Sequence, residues 1–236
     1  KSCGGRNFLE SLKAVQAVVD ARIEPGVVAE RGNRVLNTTK TFFMKKGNVA
    51  EIPEEIVNGG GLFIGLGWTC GKKIDLDASV IAMKENGHVE GITCFKNLTG
   101  VPGTRHHGDN LTGAGDGDDE VIDLHLDLVP KRVKSLFVVV NIYTKWASFQ
   151  DVSDAYVRLV SRPGGGKQGA GDKKGDHVLN NYKLDGTIKN RGVVFLRIFR
   201  RPLNMGWALE ALGTGCEGQK AEDEETLSAC RREKTA

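Results

Sequence analysis

The chain has 236 residues, a hydrophobic fraction of 39%, 31 glycines and a formal net charge of +3. This length fits one large domain with appendages, and such a chain can bury a sizeable core. The small net charge, without a basic stripe of interleaved aromatic residues, argues against a nucleic-acid-binding protein. No run of about 18 apolar residues occurs, so we expect no membrane-spanning segment.

The five cysteines are odd in number and widely spaced, and none forms a Cys-x-x-Cys pair. This pattern argues against a disulfide framework and against a structural zinc site. We therefore expect a reducing, cytoplasmic setting.

The N-terminal part, residues 1–40, is predicted to form a helix followed by a polar linker. Apolar residues recur at helical spacing from Asn7 to Ile23, and Pro25-Gly26 ends the pattern. A helix that packs on its own domain, or trails from an upstream part, is favoured over one that docks on a partner.

Residues 41–218 consist of short apolar segments separated by glycine-rich turns. Many short strands without alternating helices predict an all-β fold, specifically an antiparallel β-sandwich. We predict strands over Leu62–Trp68, Ile74–Met83, His88–Phe95, Ile122–Leu128, Lys134–Tyr143, Val152–Val160, His177–Leu184, Val193–Phe199 and Trp207–Leu212.

Two polar segments lie outside this pattern. The Gly/Lys-rich insertion at Gly164–Gly175 is interpreted as a flexible surface loop rather than an anion site. Residues 219–236 are predicted to be a charged tail, either a frayed helix or a disordered segment.

The stretch from Gly108 to Glu120 contains five acidic residues, several glycines and no cation. Two carboxylates about 4 Å apart repel by roughly 4 kcal/mol near a protein surface, so such a cluster favours a bound cation. Hard oxygen ligands on a flexible loop suit calcium better than magnesium. We hypothesise a calcium site.

Asp75 and Asp77 lie two residues apart on a predicted strand, so their side chains share one face. A solvent-facing polar edge would explain this pair by itself. The acidic loop changes the balance, because two acidic segments that converge at one end of a sandwich can share an ion.

The acidic loop does not match an EF-hand, and the chain lacks common enzyme signatures. Counting from Asp109, Glu120 falls at position 12, but Leu111, Gly113 and Ala114 occupy positions that need Asp/Asn or Gly. The glycines around Gly67 have the wrong spacing for a phosphate loop, and no Gly-x-Ser-x-Gly elbow occurs. Arg105-His106-His107 is interpreted as solvated rather than as a ligand group.

Several motifs of the chain resemble those of the TerD family in residue identity, order and spacing. The resemblance covers roughly Phe42 to Gly218. The residues that carry it are Gly65-Leu66-Gly67-Trp68, Asp75-Leu76-Asp77-Ala78-Ser79, Gly108-Asp109-Asn110-Leu111-Thr112-Gly113, Gly115-Asp116-Gly117-Asp118-Asp119-Glu120 and Gly206-Trp207-Ala208.

The resemblance implies a β-sandwich that binds two calcium ions at one end and acts in tellurite resistance or general stress response. The side-chain ligands it implies are Asp75, Asp77, Asp109, Asp116, Asp118, Asp119 and Glu120, with Asn110 and Thr112 contributing side-chain or carbonyl oxygens. Some eukaryotic members of the family are described as cyclic-AMP-binding. The turn Cys70-Gly71-Lys72-Lys73 departs from the family pattern, and we expect it to lower the local negative charge and weaken the binding of one ion.

We therefore expect a cytoplasmic, non-enzymatic calcium-binding domain. Calcium would order the acidic loops, which would then present a surface to a protein partner or an anionic ligand, with no nucleic acid involved. The alternatives are a calcium-dependent membrane-surface or cyclic-nucleotide-binding module and, more weakly, a metal-dependent phosphate-ester hydrolase.

Overall fold

The computed structural model describes residues 46–59, 61–69, 73–113, 117–162, 176–184 and 188–235. The predicted N-terminal helix and the Gly164–Gly175 insertion lie outside these ranges. So do Cys70 and one predicted ligand, Asp116.

The described part of the chain forms eleven strands and two α-helices. Their bounds are β1 Val49–Ile52, α1 Glu54–Asn58, β2 Leu62–Thr69, β3 Leu76–Met83, β4 Val89–Thr93, β5 Thr104–His106, β6 Glu120–Leu124, β7 Ser135–Ile142, β8 Ser153–Ser161, β9 His177–Leu184, β10 Gly192–Arg200, β11 Trp207–Cys216 and α2 Glu224–Thr235.

The strands form two sheets, and every strand pair in them is antiparallel. The first sheet has the order β1-β11-β10-β7-β3-β4, and the second has the order β5-β6-β2-β8-β9. The prediction of an all-β, antiparallel sandwich-like fold is confirmed. Several strands were predicted too long, most clearly β6, which ends at Leu124, since Leu126–Leu128 forms a 3-10 turn that leaves Leu128 exposed.

The main core lies between the two sheets, because each strand turns every second side chain inward. From β3 it takes Leu76, Ala78 and Val80, and from β2 it takes Ile64 and Leu66, all fully or almost fully buried. This period-2 alternation is the pattern that predicted the fold.

The outer face of the first sheet is also covered. A second apolar cluster combines Ile81 and Met83 of β3 with Ala229 and Cys230 of α2. All eight residues of β3 are buried, so a solvent-facing polar edge does not explain Asp77.

Of the two alternatives predicted for residues 219–236, the structure shows a helix over Glu224–Thr235, but this helix is docked rather than frayed. Ala229 and Cys230 are fully buried in α2. Glu224 and Glu225 lie in its first turn and Arg232 and Lys234 in its last turn, the order that favours the helix dipole. The charged composition reflects the solvent-facing side of a docked helix.

Candidate metal centre

Acidic residues from both sheets meet at one end of the molecule, which we call the acidic end. The chain leaves β2 at Thr69 and enters β3 at Leu76, and it enters β6 at Glu120, beside Leu66 of β2. Glu120 also joins the sheets, since its Oε2 accepts a hydrogen bond of 2.8 Å from the backbone N–H of Ala78. The predicted convergence of the Asp75/Asp77 segment and the acidic loop is confirmed.

Three carboxylates form a cluster at this end. One oxygen from each of Asp75, Asp77 and Asp109 lies within 4.8 Å of the other two. Asp77 is only 4% exposed, and both of its carboxylate oxygens are buried without a hydrogen-bond partner among the described residues. Oδ1 of Asp75 is in the same state. Buried carboxylates without partners are costly unless a cation or a proton neutralises them.

Burial and mutual repulsion raise the proton affinity of this cluster. The pKa of Asp77 is raised to about 8, first by burial and then by the charges of Glu120, Asp75 and Asp109. The pKa of Asp75 is raised to about 6 by burial and by Asp109. Without a cation, the cluster therefore retains a proton at neutral pH.

Glu120 is 1% exposed and close enough to the cluster for its charge to raise the pKa of Asp77. Its Oε1 is buried without a partner among the described residues, and burial raises its pKa to about 9. Nε2 of His106 is 3.6 Å from Oε2 of Glu120, which is too long for a hydrogen bond. The backbone N–H of Gly108 donates to Nδ1 of His106, so Nε2 carries the proton of the neutral ring.

Asp118 belongs to a different arrangement on the outer face of the second sheet. Nε and Nη2 of Arg158 each donate to one of its carboxylate oxygens at 2.8 Å, and the hydroxyl of Tyr156 donates at 3.1 Å. This bidentate pair is buried, with Arg158 only 7% and Asp118 only 5% exposed. Its geometry satisfies the charge of Asp118 within the chain.

The glycines of Gly65-Leu66-Gly67-Trp68 make room for this pair. The carboxylate of Asp118 lies over Gly65, and the ring of Tyr156 lies over Gly67, too close in each case for a Cβ atom. Gly65 stands opposite Arg158 and Gly67 opposite Tyr156 in the β2–β8 ladder. These glycines are therefore needed for close packing across the sheet.

Asp119 and Asn110 hold the acidic loop in shape. The backbone N–H of Trp68 donates to one oxygen of Asp119 at 2.9 Å, and Nδ2 of Asn110 donates to the other at 2.8 Å. Oδ1 of Asn110 accepts from the backbone N–H groups of Thr112 and Gly113, both at 3.1 Å. Gly113 has a φ of +60° and packs against Trp68, so this turn anchors the loop on β2.

The model of the TerD domain matches residues 41–222. The chain belongs to the TerD family. Tellurium resistance protein TerZ of Serratia marcescens is 35% identical over 176 residues, which cover 69% of this chain and 83% of that protein. Stress response protein SCP2 of Bacillus subtilis (strain 168) is 33% identical over 202 residues, covering 82% of this chain and 94% of that protein.

Two solved structures share the fold. The protein of unknown function SAV2460 superposes with a TM-score of 0.58 at 18% identity, over 72% of this chain and 97% of that one. SCO6318 from Streptomyces coelicolor A3(2), described as a homologue of telluride resistance protein (TerD), gives a TM-score of 0.55 at 15% identity, over 68% of this chain and 92% of that one. Both extend over most of the β-sandwich.

The structure distributes the ligands implied by the TerD resemblance over three roles. Asp75, Asp77 and Asp109 form the cluster, and the charge of the buried Glu120 acts on it. The side chains that maintain the loop and the adjoining sheet are Asp118, Asp119, Asn110 and Thr112. Asp116 lies outside the described residues, and metal ligation by any of these residues stays a prediction.

Other residues of this TerD domain were not singled out from the sequence. Arg158 and Tyr156 alternate along β8 opposite the two glycines, a period-2 match that could have indicated them. Thr144 accepts a hydrogen bond from the backbone N–H of Asp75 at 3.0 Å. The interpretation of His106 as solvated is wrong, because the residue is 1% exposed.

Proposed function

We propose that this TerD domain binds calcium at the cluster of Asp75, Asp77 and Asp109. The observation that carries the proposal is Asp77, a nearly fully buried carboxylate that lies beside two more carboxylates and whose two oxygens have no hydrogen-bond partner in the described part of the chain. A divalent cation would replace the missing donors and cancel the repulsion within the cluster. An all-carboxylate donor set suits a hard cation, and calcium accepts irregular oxygen cages.

We propose a capacity of two ions, as the family resemblance implies. The clustered carboxylates would hold the first ion, and Oε1 of Glu120, buried without a partner among the described residues, is a further candidate ligand. A second ion would need ligands from the acidic loop beyond Gly113. The chain itself would be a binder rather than a catalyst, acting in the tellurium-resistance or stress-response setting that its relatives' names indicate.

A cytoplasmic setting is part of the same proposal. Cys94, Cys216 and Cys230 are buried free thiols, which fits a reducing compartment. Among the described residues, no helix is both long and apolar enough to cross a membrane.

Calorimetric titration with calcium after chelator treatment tests the proposal. We expect binding heat and added stability of about 2.7 kcal/mol at 100 times the dissociation constant. Asp77→Asn should abolish both effects, whereas Asp127→Asn removes the same charge from an exposed 3-10 turn and should change neither. Absence of heat and of any melting shift in the unmodified chain would refute calcium binding.

Catalysis needs a separate assay. Turnover of phosphate esters with magnesium that disappears in Asp77→Asn would contradict a purely binding role. We expect no such turnover.

A further inference from the structure

We propose that the calcium-loaded acidic end docks on an anionic lipid bilayer. This inference rests on the proposed calcium site and names the partner that the site would take. The docking rim, as we call it, consists of three exposed apolar side chains and three lysines around the cluster: Leu111, Tyr143, Trp146, Lys96, Lys145 and Lys220.

The apolar members of the rim are unusually exposed for their size. Trp146 is 61% exposed, Leu111 59% and Tyr143 39%. Leu111 belongs to the acidic loop itself, and the backbone N–H of Tyr143 donates to the carbonyl of Asp75 at 3.0 Å. Trp146 follows in the same turn, where the N–H of Ala147 donates to Thr144 O. Tryptophan and tyrosine favour the boundary between bilayer and water, where the ring is buried and its polar group stays hydrated.

The lysines place positive charge beside these rings. Nζ of Lys96, which also pairs with Oε1 of the exposed Glu222 at 3.3 Å, lies 5.9 Å from the centre of the Tyr143 ring, and Nζ of Lys220 lies 5.6 Å from it. Lys145, exposed, lies between Tyr143 and Trp146 along the chain. Lysines next to an apolar protrusion attract an anionic lipid surface while the rings enter its interface.

The carboxylate cluster makes this attraction conditional on metal. Without a cation, Asp75, Asp77 and Asp109 repel an anionic surface. Calcium takes six to eight oxygen ligands, more than one oxygen from each of three carboxylates supplies, and Asp109 lies on the exposed side. Phosphate and carboxylate oxygens of lipid headgroups can therefore supply the coordination positions that the protein leaves open.

The other end of the molecule lacks this combination in its described part. Leu203 and Met205, in the turn between β10 and β11, are 71% and 51% exposed. The three-acid cluster lies instead beside the start of β3, at the far end of the strands from that turn. Exposed apolar groups alone thus occur at both ends, whereas their combination with a cation-binding cluster marks the acidic end. Leu203 provides a matched control.

Sedimentation with vesicles tests the docking on the full chain. We expect calcium-dependent binding to phosphatidylserine/phosphatidylcholine vesicles, and none to pure phosphatidylcholine or in excess chelator. Trp146→Ser combined with Leu111→Ser should weaken vesicle binding by at least about tenfold, since each burial is lost. The calcium heat of that variant should stay unchanged, and Leu203→Ser should bind vesicles as the unmodified chain does.

Tryptophan emission gives a second readout. Trp68 and Trp207 are both 3% exposed, so a calcium- and vesicle-dependent blue shift reports on Trp146. Calcium heat without vesicle binding would overturn the docking and leave the calcium site standing. Absence of calcium heat would overturn both.

Further outcomes would also overturn the docking. One is vesicle binding that persists in chelator. Another is a soluble headgroup, glycerophosphoserine, that binds the calcium-loaded chain while vesicles do not, which would assign the open coordination positions to a free phosphate. A calcium-dependent complex with a protein in place of vesicles would likewise contradict it.

Discussion

Asp118 and Asp77 carry the same functional group at the same end of the sandwich, and the chain treats them differently. Asp118 receives two hydrogen bonds from a buried arginine and one from Tyr156. Asp77 receives none from the described residues, although it is equally buried. We call Asp118 and Asp119 the satisfied acids, and Asp75, Asp77 and Asp109 the clustered acids.

The comparison shows that a run of acids is not by itself a set of ligands. The satisfied acids are bonded to the chain and fix the loop, whereas the clustered acids are left for something that the chain does not supply. Substitutions in the two groups should therefore change stability in opposite directions.

The largest expected effect is the loss of a satisfied acid. Asp118→Asn leaves the buried guanidinium of Arg158 without its counter-charge and should reduce the free energy of unfolding by about 3–5 kcal/mol. Chemical denaturation in excess chelator measures the loss. In the double variant Asp118→Asn/Arg158→Gln the loss should be smaller than the sum of the single losses, because the coupling is removed. Additive losses would contradict the pair's role.

Gly65→Ala should displace the carboxylate of Asp118 and so disturb its pairing with Arg158. The added methyl group would meet the carboxylate of Asp118, so we expect a loss of about 1–3 kcal/mol by the same measurement. In an Asp118→Ala background the obstruction is gone, and the added loss should shrink. An undiminished loss would show that Gly65 is needed for another reason.

Asp77→Asn should act in the other direction on the metal-free chain. The folded metal-free chain must take up a proton to neutralise Asp77 at neutral pH, and Asn is neutral without one, so unfolding in chelator should require about 1 kcal/mol more, or about 2–4 °C in Tm. Calcium should no longer add stability. Destabilisation of the metal-free variant would show that Asp77 is satisfied by contacts within the chain.

The clustered acids should also make calcium affinity depend on pH. The pKa of Asp77 is raised to about 8, so the folded chain binds more protons than the unfolded chain between about pH 4 and pH 8. The stability of the metal-free chain should therefore fall as pH rises through that range and level off above it.

Calcium must displace the same proton, so its apparent affinity should rise about tenfold from pH 6 to pH 7 and change little above pH 9. Titrations in buffers of different ionisation enthalpy count the protons released. Affinity that is independent of pH would mean that the cluster is already ionised without metal.

The sequence by itself determined the fold class, the family and the stretch of chain that carries the acids. Alternation with a period of two is local, so nearly every predicted strand reappears, with His177–Leu184 reproduced to the residue. The acid-rich sequence motifs of the family are equally local. The convergence of the Asp75 segment with the loop was a hypothesis until both sheets were placed.

Only the tertiary structure decided which acids are satisfied and which faces are buried. Asp118 and Arg158 are 40 residues apart and belong to opposite sides of β2, so no spacing rule connects them. The docking of α2 on the outer face of the first sheet likewise depends on an apolar cluster that joins residues far apart in the chain, such as Met83 and Ala229. Acidic residues in a sequence indicate which region of the chain can bind a cation. The partners that neutralise each carboxylate depend on long-range packing, which composition does not encode.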